Sequence, residues 1–204
     1  MIKLIGGTRS PYVRHVAVSL ALMGFEYDHV ATSPFEAPDA IREHNPLTRI
    51  PTLILDDGEV LVESYAILDA VNEMVDPDKR LIPMDGSARR RVMTLTAVAL
   101  GATDKLIWSV YERRFRPEEK IHQPWIDHNV AQLLGGLTYL EDHAGHKWIA
   151  GGTRISLADV GAVVVLQQTE LARPDLTPRE KFPKLAALAL RCEAMPAFSR
   201  VAPA

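Results

Sequence analysis

Three short stretches of the chain carry residues whose types and spacing are suited to chemistry. In Thr8-Arg9-Ser10-Pro11-Tyr12-Val13-Arg14, a serine hydroxyl stands just before a proline fit to begin a helix, and a cation follows one turn on. Free main-chain amides and the helix dipole make such a position favourable to an anion. A hydroxyl donating to a sulfur there would favour the ionised thiol. Lowering a thiol pKa by about two units takes only about 2.7 kcal/mol. The same serine also reads as a plain helix cap, and the motif alone does not separate the two.

The second stretch is Asn45-Pro46-Leu47-Thr48-Arg49-Ile50-Pro51-Thr52-Leu53. Pro51 has no amide to give to a ladder. In the cis form it would turn Ile50 so that its own amide and carbonyl face outward, where an extended peptide can dock as an added strand. In the trans form, the commoner state of such bonds, it would simply begin an edge strand. The third stretch is Glu63-Ser64, where a serine hydroxyl and helix amides can hold a carboxylate while the glutamate pairs with an ammonium. That pair suits the α-amino acid end of a ligand, and it equally suits a capped helix.

The elements that must position these residues follow from local signals. Lys3 to Gly6 reads as a buried strand, and Pro11 to Met23 as a helix capped by Ser10 and closed by Gly24. Phe25 to Ala31 reads as a second strand, followed by a short helix from Pro38 to His44 that stops before Asn45-Pro46. Thr52 to Leu55 and Glu59 to Val62 flank Asp56-Asp57-Gly58, a composition that predicts a hairpin, and a helix from Ser64 to Val75 follows. The order is β-α-β-α-β-β-α over residues 1–76, part parallel and part antiparallel. Residues 77–86, polar and proline-containing, read as a linker.

From 87 to 204 the pattern is helical throughout. One long helix is predicted from Ser87 to Arg116, a second stretch from about Glu118 to His143 with Pro124 beginning or kinking a segment, and a last helix over Lys184 to Ala194. Ser156-Leu157-Ala158-Asp159 has the form of a capping box opening another helix, and its apolar run Val163 to Leu166 predicts burial.

Composition removes several classes of function. A formal charge of −3, from 23 basic and 26 acidic residues, provides no field to draw in nucleic acid or an anionic membrane. Cys192 is the only cysteine, so neither an intrachain disulfide nor a thiolate metal cluster can form. His143 and His146 have metal-like spacing but no acidic or thiol companion close in sequence, so no metal is expected. No secretory leader and no apolar stretch of about 20 residues is evident, and a cytoplasmic protein is the expectation.

Taken in this order and spacing, the Ser-Pro-Tyr-x-Arg stretch, Ile50-Pro51 and Glu63-Ser64 resemble the glutathione transferase superfamily, in the form with a theta- or zeta-like active-site segment. Ser156 to Asp159 matches the capping box of that family's second domain, so the resemblance spans the chain. It implies a thioredoxin-like α/β N-terminal domain that binds glutathione as cosubstrate, then an all-α domain that holds a small apolar electrophile. It implies that Pro51 is cis, that Ser10 supports the thiolate, and that Ile50 pairs its backbone with the cysteinyl unit. Glu63 and Ser64 would hold the γ-glutamyl end and Arg49 the glycyl carboxylate. Arg9, beside Ser10, would either favour the thiolate or obstruct it. Ile107, Trp108 and Tyr111 would line the electrophile pocket, though packing between helices explains them equally. Where some relatives read Ala-Asp-Gly, this chain has Ala99-Leu100-Gly101, with Asp104 as a substitute acid one turn later.

The resemblance further implies a two-fold homodimer acting in detoxification by transfer or conjugation of glutathione. An isomerase, a dehalogenase, or a non-catalytic interaction protein of the stringent-starvation type are its alternatives. A serine at position 10 has no sulfur to exchange, which argues against mixed-disulfide chemistry through that residue.

Overall fold

The computed structural model describes residues 1–202, and among these the chain divides into two units. The first comprises Met1–Ile82 together with the residues from Glu193 onward, and the second comprises Pro83–Cys192.

In the first unit, β1 (Ile2–Ile5), α1 (Pro11–Met23), β2 (Tyr27–Val30), α2 (Pro38–Arg42), β3 (Thr52–Ile54), β4 (Val60–Val62) and α3 (Ser64–Glu73) follow the predicted order. The sheet runs β2-β1-β3-β4, with β1 parallel to β2 and antiparallel to β3, and β3 antiparallel to β4. This is a thioredoxin-like arrangement. The hairpin is in register at Leu53 opposite Leu61, and its turn is closed by Leu55 N–H to Glu59 O at 2.8 Å. Leu4, Val13, Val16, Leu20, Leu53, Ile67 and Val71 form its core, all fully buried. α1 ends as its sequence requires: Gly24 takes φ 84°, and Phe25 N–H reaches back to Leu20 O at 2.9 Å.

Two features extend this unit beyond the expected boundary at residue 76. The side chain of Asn72, buried in α3, accepts from the amides of Leu81 and Ile82 at 2.9 Å each and donates to Ile82 O at 2.9 Å. Much of the polar stretch read as a linker is therefore fastened to α3, with Ile82 fully buried. The chain also returns at its end: a short helix over Pro196–Ser199 packs on α1, burying Phe198. Neither contact is local in sequence.

The second unit has no strand among the described residues. α4 (Gly86–Phe115) is one helix of 30 residues, and α5 (Gln123–His143) starts five residues later than predicted because Glu118–Lys120 forms a single 3-10 turn. Pro124 lies in the first turn of α5, where its missing amide is harmless. α6 (Leu157–Ala172) is buried from Leu157 to Leu166, in agreement with its uninterrupted apolar run. A short α7 (Pro178–Lys181) and α8 (Pro183–Glu193) complete it. Asp159 is fully buried at the start of α6, where burial pushes its carboxyl up while hydrogen bonds from Ser156, Ile149 and its own amide pull it back.

Candidate functional site

Ser10 caps α1 with extended backbone angles, and its Oγ accepts from Val13 N–H at a long 3.5 Å. That contact uses a lone pair of the oxygen and leaves the hydroxyl proton available. Capping and donation to a ligand are thus compatible in the same side chain, and the two sequence readings need not compete. Ser10 N–H is itself held by Gly7 O at 3.0 Å, and Gly7 N–H by Thr32 O at 2.8 Å, so the loop feeding the helix is pinned to the chain after β2.

Gly6 joins this loop to the second stretch. Its φ of 131° is one that side chains rarely adopt, and a Cβ there would stand 2.6 Å from Val13 Cγ2 and 2.8 Å from Ile50 Cβ. The first turn of α1 and Ile50 therefore approach each other over a residue that has no side chain. The Ile50–Pro51 peptide bond is cis, as the resemblance implies. The loop before it is organised by Asn45, fully buried, whose Nδ2 donates to Arg49 O at 3.0 Å and whose Oδ1 accepts from Leu47 N–H at 2.9 Å. Replacing Asn45 with alanine leaves the Leu47 amide and the Arg49 carbonyl without those partners. We expect a loss of about 2 kcal/mol of stability, read as a lower urea midpoint at unchanged slope.

Glu63 precedes α3 with φ 64° and ψ 127°, a sparsely populated conformation for a residue with a side chain, and its carbonyl accepts from Ile67 N–H at 3.0 Å. Such backbone costs about 1–3 kcal/mol and persists where surrounding structure imposes it. Ser64 is buried at the first position of the helix. Arg49 and Glu63, expected at opposite ends of a bound tripeptide, meet instead: Nη1 lies 3.4 Å from Oε1, with both side chains about half exposed. Arg9 is exposed and has no ion pair among the described residues.

The charge one turn beyond Ser10 belongs to Arg14, which is buried and whose main-chain amide donates to Ser10 O at 3.0 Å. Burial pushes its guanidinium down to about 10, with Glu193 pulling the other way, so it remains a cation at neutral pH. Its place one turn past Ser10 is written in the sequence, whereas its burial comes from packing distant in the chain.

In the second unit, Ile107 and Tyr111 are half-buried and Trp108 is 54% exposed. Tyr111 packs edge-on against Phe115 with ring centroids 4.9 Å apart. Phe115 was not singled out from the sequence, though its spacing of four from Tyr111 places it on the same stripe of α4. Among the described residues no group of three or more His, Cys, Asp or Glu is placed to hold a metal ion, and no helix is long and apolar enough to cross a membrane.

Comparison with known proteins agrees with this architecture. Residues 4–77 match the glutathione S-transferase N-terminal domain family, and residues 123–189 match the glutathione S-transferase C-terminal domain family. The crystal structure of a glutathione S-transferase from Methylobacillus flagellatus with GSH bound is 31% identical, covers 100% of both chains and superposes with a TM-score of 0.94. Maleylacetoacetate isomerase of Pseudomonas aeruginosa is 29% identical over 100% of this chain and 96% of its own. The GST-like protein YibF of Escherichia coli is 29% identical over 112 residues, a match spanning only 55% of each chain. Both domains in order, a full-length structural counterpart and the cis-proline before β3 lead to one conclusion: this chain belongs to the glutathione S-transferase family.

Proposed function

We propose that the chain is a glutathione-dependent enzyme in which the Ser10 hydroxyl donates to the glutathione sulfur and holds it as a thiolate. The observation that carries this reading is the Ser10 geometry. Its oxygen caps α1 through a lone pair, so its proton faces no competing acceptor from the cap. The buried Arg14 cation and the dipole of α1 favour negative charge at the same end of the helix. The main chain of Ile50 then pairs with the cysteinyl unit, Ser64 and the first amides of α3 take the γ-glutamyl carboxylate, and Glu63 takes its ammonium. Arg49 serves the glycyl carboxylate once it parts from Glu63, an exposed pair that costs little to open. The cosubstrate supplies the nucleophile, and its thiolate attacks an electrophilic carbon or a peroxide oxygen as the leaving group departs. Ile107, Trp108 and Tyr111 offer apolar surface to the electrophile. A two-fold homodimer in the cytoplasm is part of the same reading, checked by light scattering.

Full-length similarity to maleylacetoacetate isomerase favours one second reading. There the thiolate adds to an electron-poor cis alkene, the resulting single bond rotates, and expulsion of the thiolate returns the trans alkene and intact glutathione. The two readings differ in whether glutathione is consumed.

The experiment compares wild type and Ser10→Ala against an aryl halide, an isothiocyanate, a hydroperoxide and a maleyl compound, each with glutathione. We expect kcat/KM to fall by about 100-fold in the variant, the usual effect of removing one donor from a developing anion. The ultraviolet absorbance of bound thiolate should appear at higher pH in the variant. Unchanged turnover in Ser10→Ala would remove the serine from the mechanism. No turnover by wild type across the panel would favour a non-catalytic role in protein interaction.

A further inference from the structure

His29 stands on β2, an edge strand of the sheet, and its side chain is exposed, where a polar residue needs no protein partner. It has one nonetheless: Nε2 lies 2.7 Å from Gly6 O. A carbonyl oxygen can only accept, so the proton sits on Nε2. The neutral ring in that tautomer and the imidazolium both carry it there, and the bond holds in either charge state. Tyr27, two residues earlier and so on the same side of the strand, meets the His29 ring edge-on with centroids 6.3 Å apart.

Gly6 O belongs to the peptide plane that joins Gly6 to Gly7, two residues whose backbones turn more freely than any others. No side chain of their own sets the tilt of that plane. Two hydrogen bonds do: His29 holds its carbonyl, and Thr32 O takes its Gly7 N–H at 2.8 Å. Gly6 N–H is bound in turn to Val30 O at 3.0 Å. Of these three bonds to the chain in and after β2, only the one from His29 comes from a side chain. The next carbonyl along, Gly7 O, accepts from Ser10 N–H at 3.0 Å. A short relay of contacts thus runs from the His29 ring through the Gly6–Gly7 peptide to the amide of Ser10.

We infer that His29 is a positioning residue for the thiolate, an inference that rests on the reading of Ser10 given above: by holding the Gly6–Gly7 peptide it aims the Ser10 hydroxyl at the glutathione sulfur. A donor displaced by a fraction of an ångström from a reacting centre loses much of its effect, so the consequence shows in rate more than in folding.

Three substitutions at His29 separate the donor from the bulk. His29→Gln puts an amide N–H near where Nε2 stood, whereas His29→Asn is shorter and puts it near where Nδ1 stood. These, His29→Ala, Ser10→Ala and the double variant Ser10→Ala/His29→Ala are compared with wild type for turnover with glutathione and for the pH at which bound thiolate absorbs. In His29→Ala and His29→Asn, kcat should fall about tenfold with KM for glutathione within about twofold of wild type, and the thiolate should appear at higher pH. His29→Gln should recover most of the loss. In the Ser10→Ala background the loss of His29 should cost less than about twofold, because its effect passes through that hydroxyl. The Gln and Asn pair carries the test if the alanine variant is unstable. His29→Ala at the wild-type rate while Ser10→Ala is impaired would overturn the positioning role and leave the Ser10 reading standing, as would an equal loss from His29→Ala in both backgrounds. Bound thiolate is read without turnover, so an unchanged titration in His29→Ala overturns the role by itself. Ser10→Ala at the wild-type rate would overturn the Ser10 reading and this role with it.

Discussion

Gly6→Ala should cost about 3–5 kcal/mol of stability and abolish retention on immobilised glutathione. Two effects add. The residue's φ of 131° is strained for any side chain, and the new methyl would stand 2.6 Å from Val13 Cγ2 and 2.8 Å from Ile50 Cβ. Neither neighbour is the free end of a long side chain: Val13 lies in the first turn of α1, fully buried, and the Ile50 contact is at Cβ, next to its main chain. Relief must therefore move either the helix that bears Ser10 or the backbone proposed to receive the cysteinyl unit. Gly7→Ala is the matching control, because its methyl would meet only Thr32 O at an ordinary 3.5 Å. Urea unfolding and glutathione-agarose retention of the two variants decide the matter. A Gly6→Ala protein as stable as wild type would show that the two segments do not approach as described.

That contact also shows which parts of the site the sequence could reveal. α1 was legible at both ends because its signals are local: Ser10 and Pro11 open it and Gly24 closes it within one turn of chain. The order of strands and helices was legible for the same reason, and so was the hairpin around Asp56-Asp57-Gly58. Gly6 carried no such signal. Its requirement comes from Val13 and Ile50, seven and 44 residues away, and a lone glycine after a strand looks the same whether or not a neighbour crowds it.

Buried asparagines were hidden in the same way. Asn45 and Asn72 have the composition of surface turns, yet both are buried: Asn45 bridges the main chain of its own loop, and Asn72 satisfies main-chain groups that would otherwise be buried unpaired. Asn72 extends the first unit to Ile82 by this means, across a stretch whose prolines and charges read as a linker. Side-chain direction was likewise not legible. Arg49 and Glu63 both sit in the expected segments, but only coordinates show that they contact each other, 14 residues apart.

Asp159→Ala should be the most damaging single change in the second unit, lowering its stability by about 3–5 kcal/mol. The sequence predicted half of what this carboxylate does: its Oδ2 accepts from Ser156 N–H at 2.8 Å, the returning half of a capping box. The Ser156 hydroxyl donates to the same oxygen at 2.6 Å. The unpredicted half is Oδ1, which accepts from Ile149 N–H at 2.7 Å and ties the chain after α5 to the start of α6. Asp159 and Ile149 are both fully buried, so alanine leaves these donors with no water to replace the carboxylate. Ser156→Ala separates the two roles, since it removes only the hydroxyl and should cost about 1 kcal/mol. Thermal unfolding of both variants, with hydrogen exchange at the Ile149 amide, provides the measurement. Exchange at Ile149 should accelerate in Asp159→Ala and stay slow in Ser156→Ala. Equal protection in the two variants would mean that the carboxylate does not hold that amide.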